Sequence, residues 1–248
     1  MKLSYLLILF LAIGSCQKTE KHLSKITAKN IAIDRTIASS EKIDRVINPY
    51  KEKLTVEMEQ VLCFSPTEIV KSDGNMQSSL GNLMADMCYE MGNSIYKEKT
   101  NEAIDFVMFN HGGIRANMPA GAITTEHAFE LMPFENELVV TSLSGVKILE
   151  LVDYFVQNKK AHPLSKNIEL TLKDNGYVLK INGKAFDKNK TYAVLTSDYL
   201  QGGGDSMNFF KNPKKLTKLD YKLRDAIIDY FKKTDTLKAH IDNRIIIK

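Results

Sequence analysis

Between Leu80 and Met91, apolar side chains fall at Leu80, Leu83, Met84, Met87, Cys88 and Met91. This 3-4 spacing puts them all on one stripe of a helix, with Ser78 or Ser79 as its N-cap. After it comes Ile104-Asp105-Phe106-Val107-Met108-Phe109, whose density and β-propensity predict a strand buried on both faces. That run ends abruptly at Asn110-His111-Gly112-Gly113. A helix with an apolar stripe and a strand without a polar face must both be covered by further layers, so the chain must build a packed core. The 44% apolar and 26% charged residues of its 248 are the composition of such a domain.

Other segments fill in the class. Ser39 and Ser40 precede a helical pattern through Ile43, Val46 and Ile47, which Pro49 is expected to kink or break before Leu54. Thr124 or Thr125 caps a short helix through Ala128, Phe129, Leu131 and Met132, stopped by Pro133. Leu138 to Leu143 reads as a strand, and from Ser144 a helix turns Ile148, Leu149, Leu151, Val152 and Phe155 to the core. Ile168–Leu172, Tyr177–Ile181 and Tyr192–Thr196 read as three strands joined by turns at Asp174-Asn175-Gly176, Asn182-Gly183 and Asp187 to Lys190, which predicts antiparallel pairing. A helix carrying Leu223, Ala226, Ile227, Tyr230 and Phe231 and a strand from Arg244 to Ile247 close the chain. The class is α+β, with mixed sheets and packed helices.

The N-terminus has the form of an export signal. Lys2, an apolar run from Leu3 to Ile13 and the small residues Gly14 and Ser15 precede Cys16. The run is too short to span a membrane. Ile13-Gly14-Ser15-Cys16 resembles the lipobox of bacterial lipoproteins, which implies lipidation of Cys16; a plain signal peptide is the alternative. The expected organisation is a signal peptide at 1–16, a Lys-rich tether at 17–35 and a folded domain at 36–248, held by lipid on an extracytoplasmic face of the cell envelope. A formal charge of +4, from 34 basic against 30 acidic residues, is too balanced for binding a nucleic acid polymer through its phosphates. With three Cys and five His scattered along the chain, no disulfide framework or Cys-rich zinc site is written. Export allows Cys63 and Cys88 to pair, or both stay free; Cys88 lies on the apolar stripe, where a small buried hydrophobe is expected.

Three turns carry residues that a plain turn does not need. In the first, paired Gly112 and Gly113 let backbone N–H groups approach an anion, beside Asn110 and the planar fork of Arg115. The second, Pro133-Phe134-Glu135-Asn136, follows a helix stop. The third, Asp198-Tyr199-Leu200-Gln201-Gly202-Gly203-Gly204-Asp205, flanks three glycines with an aromatic and a carboxylate. It is not a phosphate-binding P-loop, because no Lys-Ser/Thr follows the glycines. Two aromatics sandwich a flat ring, an arginine holds a phosphate and a carboxylate accepts from sugar hydroxyls. A nucleotide satisfies all three. A decayed pocket would instead bury Phe134 in the core.

Together with Leu80-Gly81-Asn82-Leu83-Met84-Ala85-Asp86, these ordered motifs resemble the carboxy-terminal domain of bacterial and animal 5′-nucleotidases and UDP-sugar hydrolases, from about Ile43 onward. In that family the domain recognises the nucleotide, and a separate amino-terminal metallophosphatase domain holds two metals and hydrolyses the ester. The resemblance implies that Phe134 and Tyr199 stack on the base, Tyr199 replacing a more usual phenylalanine. It assigns Asn110 and Asn136 to base or ribose edges, Arg115 to phosphate and Asp205 to ribose hydroxyls, with Gly112, Gly113, Gly203 and Gly204 permitting close approach. His111 falls at a variable position and is read as a bystander. Where many members carry Arg and Glu ahead of the Leu80 motif, this chain has Gly74-Asn75-Met76-Gln77-Ser78-Ser79, so one phosphate-holding arginine is expected to be missing.

A two-metal phosphatase needs a bridging carboxylate with His and Asn ligands. None of His22, His111, His127, His162 and His240 has Asp two positions earlier, and no Asn-His-Glu or Asn-His-Asp occurs. No catalytic or metal-ligating residue is therefore expected in this chain, nor a cofactor. Divalent metals are expected only in a separate metallophosphatase chain, with which this one would form a split 5′-nucleotidase. The alternative is a non-catalytic lipoprotein that binds nucleosides or nucleotides.

Overall fold

The computed structural model describes residues 22–34 and 36–248; the leader, Cys16 and the start of the tether lie outside them. The chain divides into two units, residues 1–48 and 49–248. In the first, the described residues before Ser40 form no regular helix or strand; helix α1 (Glu41–Met58) begins there after Ser40 and its residues from Pro49 on belong to the second. Pro49 lies inside this helix, so of the kink or break expected from sequence the break does not occur. A proline inside a helix removes one N–H donor, and the turns on either side are retained.

The second unit contains β1 (Val61–Ser65), α2 (Ser79–Thr100), β2 (Phe106–Val107), β3 (Gly121–Thr124), α3 (Thr125–Leu131), β4 (Glu137–Ser144) and α4 (Gly145–Asn158). It continues with β5 (Ile168–Lys173), β6 (Gly176–Ile181), β7 (Lys184–Ala185), β8 (Thr191–Ser197), α5 (Asp198–Gln201), β9 (Lys215–Lys222), α6 (Leu223–Lys233) and β10 (Ile245–Ile247). The strands form a two-stranded sheet, β1-β3, and two four-stranded sheets, β10-β5-β6-β7 and β2-β8-β4-β9. Each four-stranded sheet mixes one parallel pair, β10 with β5 or β2 with β8, with antiparallel ones. The class is α+β with mixed sheets, as the sequence indicates.

Helix α2 follows its stripe. Ser78 caps it, accepting from the Gly81 N–H at 3.0 Å, and Leu80, Met84, Met87 and Cys88 are fully buried against α6, β2 and β9. Cys63 and Cys88 are both buried free thiols. Burial pushes the Cys63 thiol up to about 11, and the Cys88 thiol higher still. Neither is a nucleophile at neutral pH.

Two further expectations need correcting. Ile104 and Phe106–Phe109 are buried, but only Phe106–Val107 is strand. One edge pairs with β8, while irregular chain at 163–165 covers the other. There Ser165 Oγ accepts from the Val107 N–H and Pro163 O from the Phe109 N–H, both at 2.9 Å. The strand over Tyr192–Thr196 does not continue the hairpins before it. Only β7 follows the Asn182-Gly183 turn, and β8 becomes the strand between β2 and β4 in the other sheet. Its run Val194–Ser197 is buried throughout, a pattern that a half-exposed hairpin sheet cannot accommodate. Strands β1, β3 and β9 carry an alternation too weak to mark them in the sequence. In β9, Leu219 is buried and Tyr221 half-buried between lysines.

Candidate functional site

Sheet topology brings the three turns together. Strands β2 and β8 run parallel, with Phe106 beside Val194 and Val107 beside Leu195, so the chain leaves both at the same end of the sheet. Strand β4 is antiparallel to β8, with Leu138 opposite Ser197, so the segment entering β4 lies at that end too. The Asn110–Arg115, Pro133–Asn136 and Asp198–Asp205 segments are therefore neighbours by register, although 95 residues separate Asn110 from Asp205. The Glu137 N–H donates to Asp198 Oδ1 at 3.1 Å and joins two of them.

A cleft of about 290 Å³ opens there. Its lining is Asn110, Gly112, Gly113, Arg115, Phe134, Asn136, Tyr199 and Asp205, eight of the ten positions singled out from the sequence. Gly203 and Gly204 do not line it. Gly203 has φ +91°, a conformation that L side chains rarely adopt, and a Cβ on Gly204 would collide with the Tyr199 ring. These two glycines shape the turn on which the ring rests and leave contact to its neighbours.

Phe134 is 41% and Tyr199 47% exposed, so neither ring has been drawn into the core. The Arg115 guanidinium carbon lies 5.9 Å from the Phe134 ring centroid, within the range of a cation–π contact. Its Nη1 donates to Gly112 O at 3.2 Å. Asp205, itself left-handed at φ 52°, is held through both carboxylate oxygens. Asn110 Nδ2 donates to Oδ2 at 2.7 Å and the Tyr199 hydroxyl to Oδ1 at 2.9 Å. That carboxylate raises the Tyr199 pKa by hydrogen bond and charge, so the phenol stays a donor. Arg115 and Asp205 are the one cation and the one anion among the lining residues.

Residues behind the cleft were not legible as site components. Arg224 of α6, 5% exposed, donates to Met132 O at 3.2 Å, to Phe134 O at 3.3 Å and to the Glu135 carboxylate, with its guanidinium 4.1 Å from the Phe129 ring centroid. It fixes the segment that presents Phe134. Lys222 and Arg224 together hold the Glu135 carboxyl down at about 2. A single arginine within a helix pattern gives no sequence signal of burial. His111 is not among the lining residues; its N–H donates to Nδ1 of buried His162 at 3.1 Å, which fixes the first turn from behind.

His162 gives this turn a pH dependence. Burial lowers the imidazole from its ordinary 6.5 to about 4, helped by His111 and Lys160 and opposed by Asp205. The folded chain thus favours the neutral ring, and the unfolded chain takes up a proton first. The resulting stability is fully present above pH 6.5 and is lost as pH falls through that value towards 4. At about 1.4 kcal/mol per pKa unit it is on the order of 3 kcal/mol. In urea titrations at pH 7 and pH 4, the wild type should lose about 3 kcal/mol more than His162→Asn, whose amide oxygen can accept the His111 N–H without titrating. Equal losses would remove His162 from this role.

Such a cleft is equipped to take a flat ring, hydroxyl groups and an anion. Among the described residues, no three His, Cys, Asp or Glu side chains are grouped to hold a metal ion. A family model for the 5′-nucleotidase C-terminal domain matches residues 61–212, a span that contains all three turns. The chain belongs to this family. It is 24% identical over 222 residues to the cell wall protein Lmo0130 of Listeria monocytogenes, covering 80% of this chain and 28% of that protein. With the trifunctional nucleotide phosphoesterase protein YfkN of Bacillus subtilis it shares 30% identity over 177 residues, 65% of this chain and 11% of the relative. The fold matches a crystal structure of a 5′-nucleotidase precursor from Thermus thermophilus, with a TM-score of 0.65 and 23% identity over 82% of this chain and 42% of that one. The chain thus spans less than half the length of each of these relatives.

Proposed function

We propose that this chain is the nucleotide-recognition component of an extracytoplasmic 5′-nucleotidase, with ester hydrolysis performed by a metallophosphatase on a separate chain. The observation that carries the reading is the convergence of two exposed aromatic rings, one guanidinium and one carboxylate on a single cleft. In this reading Phe134 and Tyr199 stack on the base, Asn110 and Asn136 bond base or ribose edges, Arg115 meets phosphate and Asp205 accepts from the ribose. The name of the relative YfkN, a nucleotide phosphoesterase, supports the substrate class. Lipidation of Cys16, with residues 17–35 as tether, would keep the chain on the envelope surface, and the cell wall relative supports that address. Co-tethering on one membrane would supply the effective concentration that separate chains otherwise lack.

The test is to mix the full chain with a cognate two-metal phosphatase and measure phosphate release from AMP and from UDP-sugars. The expected result is turnover that neither protein gives alone. A mixture no faster than the phosphatase by itself would sink the split-enzyme reading.

One observation favours a nucleoside-binding lipoprotein as the second reading. Ahead of α2, where an extra arginine would be expected, Gln77 is turned inward. Its Nε2 donates to Asp242 O at 2.9 Å and Ile245 O at 3.0 Å. Loss of a charge-assisted bond would cost phosphate affinity roughly 1.5–3 kcal/mol. Adenosine bound as tightly as AMP, with no gain from any phosphatase, would select this reading.

A further inference from the structure

We infer that Tyr154, on α4 outside the cleft lining, is a positioning residue that braces the two glycine turns of the site against each other. This rests on the nucleotide reading above and extends it to a residue that never touches the ligand.

Asp205 and Ser206 both have positive φ, 52° and 61°, an arrangement that non-glycine residues keep only where the surroundings over-determine it. The carboxylate is tied to Asn110 and Tyr199, which themselves line the cleft. The remaining tie comes from outside. The Tyr154 hydroxyl donates to the backbone oxygen of Asp205 at 2.9 Å.

The Tyr154 ring is fixed on both sides of that bond. It meets the Phe209 ring edge-on, with centroids 5.5 Å apart at 63°, and the His162 ring at 5.5 Å and 46°. His162 accepts the His111 N–H and so holds the first turn. One side chain therefore links the Asp205 turn, by hydrogen bond, to the residue that anchors the Asn110–Arg115 turn, by ring contact. Burial, with Asp205 and Tyr199 nearby, raises the Tyr154 pKa, so the hydroxyl remains a donor across the physiological range.

Removing the hydroxyl should release the Asp205 backbone while leaving the ring packed. The carboxylate would then lose its fixed place, and ligand groups that depend on it should suffer while the base stack does not. The test is Tyr154→Phe in the full chain, titrated calorimetrically with adenosine and with 2′,3′-dideoxyadenosine, which lacks both ribose hydroxyls of the diol. The expected result is an adenosine Kd weakened about tenfold and a dideoxyadenosine Kd changed less than twofold. An equal loss on both ligands, or on neither, overturns the proposal.

A ligand-free readout separates it from the nucleotide reading. In the wild type the Asp205 carboxylate holds the Tyr199 phenol above its ordinary value; in Tyr154→Phe that titration, followed by NMR of the ring Cζ, should fall back towards it. If the wild type binds neither nucleoside, the nucleotide reading fails and this titration alone decides. An unchanged Tyr199 titration would then overturn the brace.

Discussion

Phe134→Ala in the full chain is expected to weaken adenosine and AMP binding by roughly 1–3 kcal/mol, a 5- to 150-fold loss, with Tyr199→Ala at least as damaging. Both rings stand in the cleft 41% and 47% exposed, so their truncation removes a platform and leaves the core intact. Thermal stability should therefore hardly move, and the loss should appear in calorimetric titration alone. Tyr199→Ala also deprives Asp205 of a donor, which adds to its effect, and Tyr199→Phe separates the ring from the hydroxyl. The cleft would lose its claim to a base if Phe134→Ala bound both ligands as well as the wild type.

A second large effect is expected outside the cleft lining. Arg244, 3% exposed, donates to Asp242 through Nε at 2.8 Å and Nη2 at 2.7 Å, to Asp86 through Nη2 at 2.9 Å and to Leu164 O through Nη1 at 2.6 Å. It joins α2, the chain before β5 and the entry to β10. Arg244→Ala would strand two carboxylates, each under a third exposed, next to each other without a cation. Breaking a buried pair in this way costs about 3–5 kcal/mol. The measurement is the urea midpoint at pH 7; a loss below 1 kcal/mol would show that the carboxylates escape to solvent. Lysine should recover only part of the loss, because an ammonium cannot reproduce a fork shared between two carboxylates.

These two sites show where the sequence speaks and where it does not. The Leu80–Asp86 motif carries part of the family resemblance, yet it contributes nothing to the cleft lining. Asn82 donates to Gln77 Oε1 at 2.9 Å and to His240 O at 3.0 Å, and Asp86 holds Arg244. Its polar residues are scaffold. The three turns stand out by residue type, with aromatics, arginine and aspartate beside glycines, and the family resemblance then assigns their members. Helix α2 was legible because a 3.6-residue period is a local property of the chain. The same holds for the Thr124 cap and for the hairpin from β5 to β6.

What lay beyond the sequence is whatever depends on partners distant along it. The departure of β8 from the hairpins, the two-residue length of β2 and the existence of β9 are set by which edges find a neighbour. The burial of Arg224 and His162, and the reach of Tyr154 to the Asp205 carbonyl, are fixed only when helices α4 and α6 dock. Residue chemistry and local period thus determined the main helices, the β5–β6 hairpin and the candidate turns. Tertiary structure decided that three turns share one end of a sheet, through one parallel and one antiparallel pairing to β8, since strand direction is set by long-range hydrogen bonds that no local window contains.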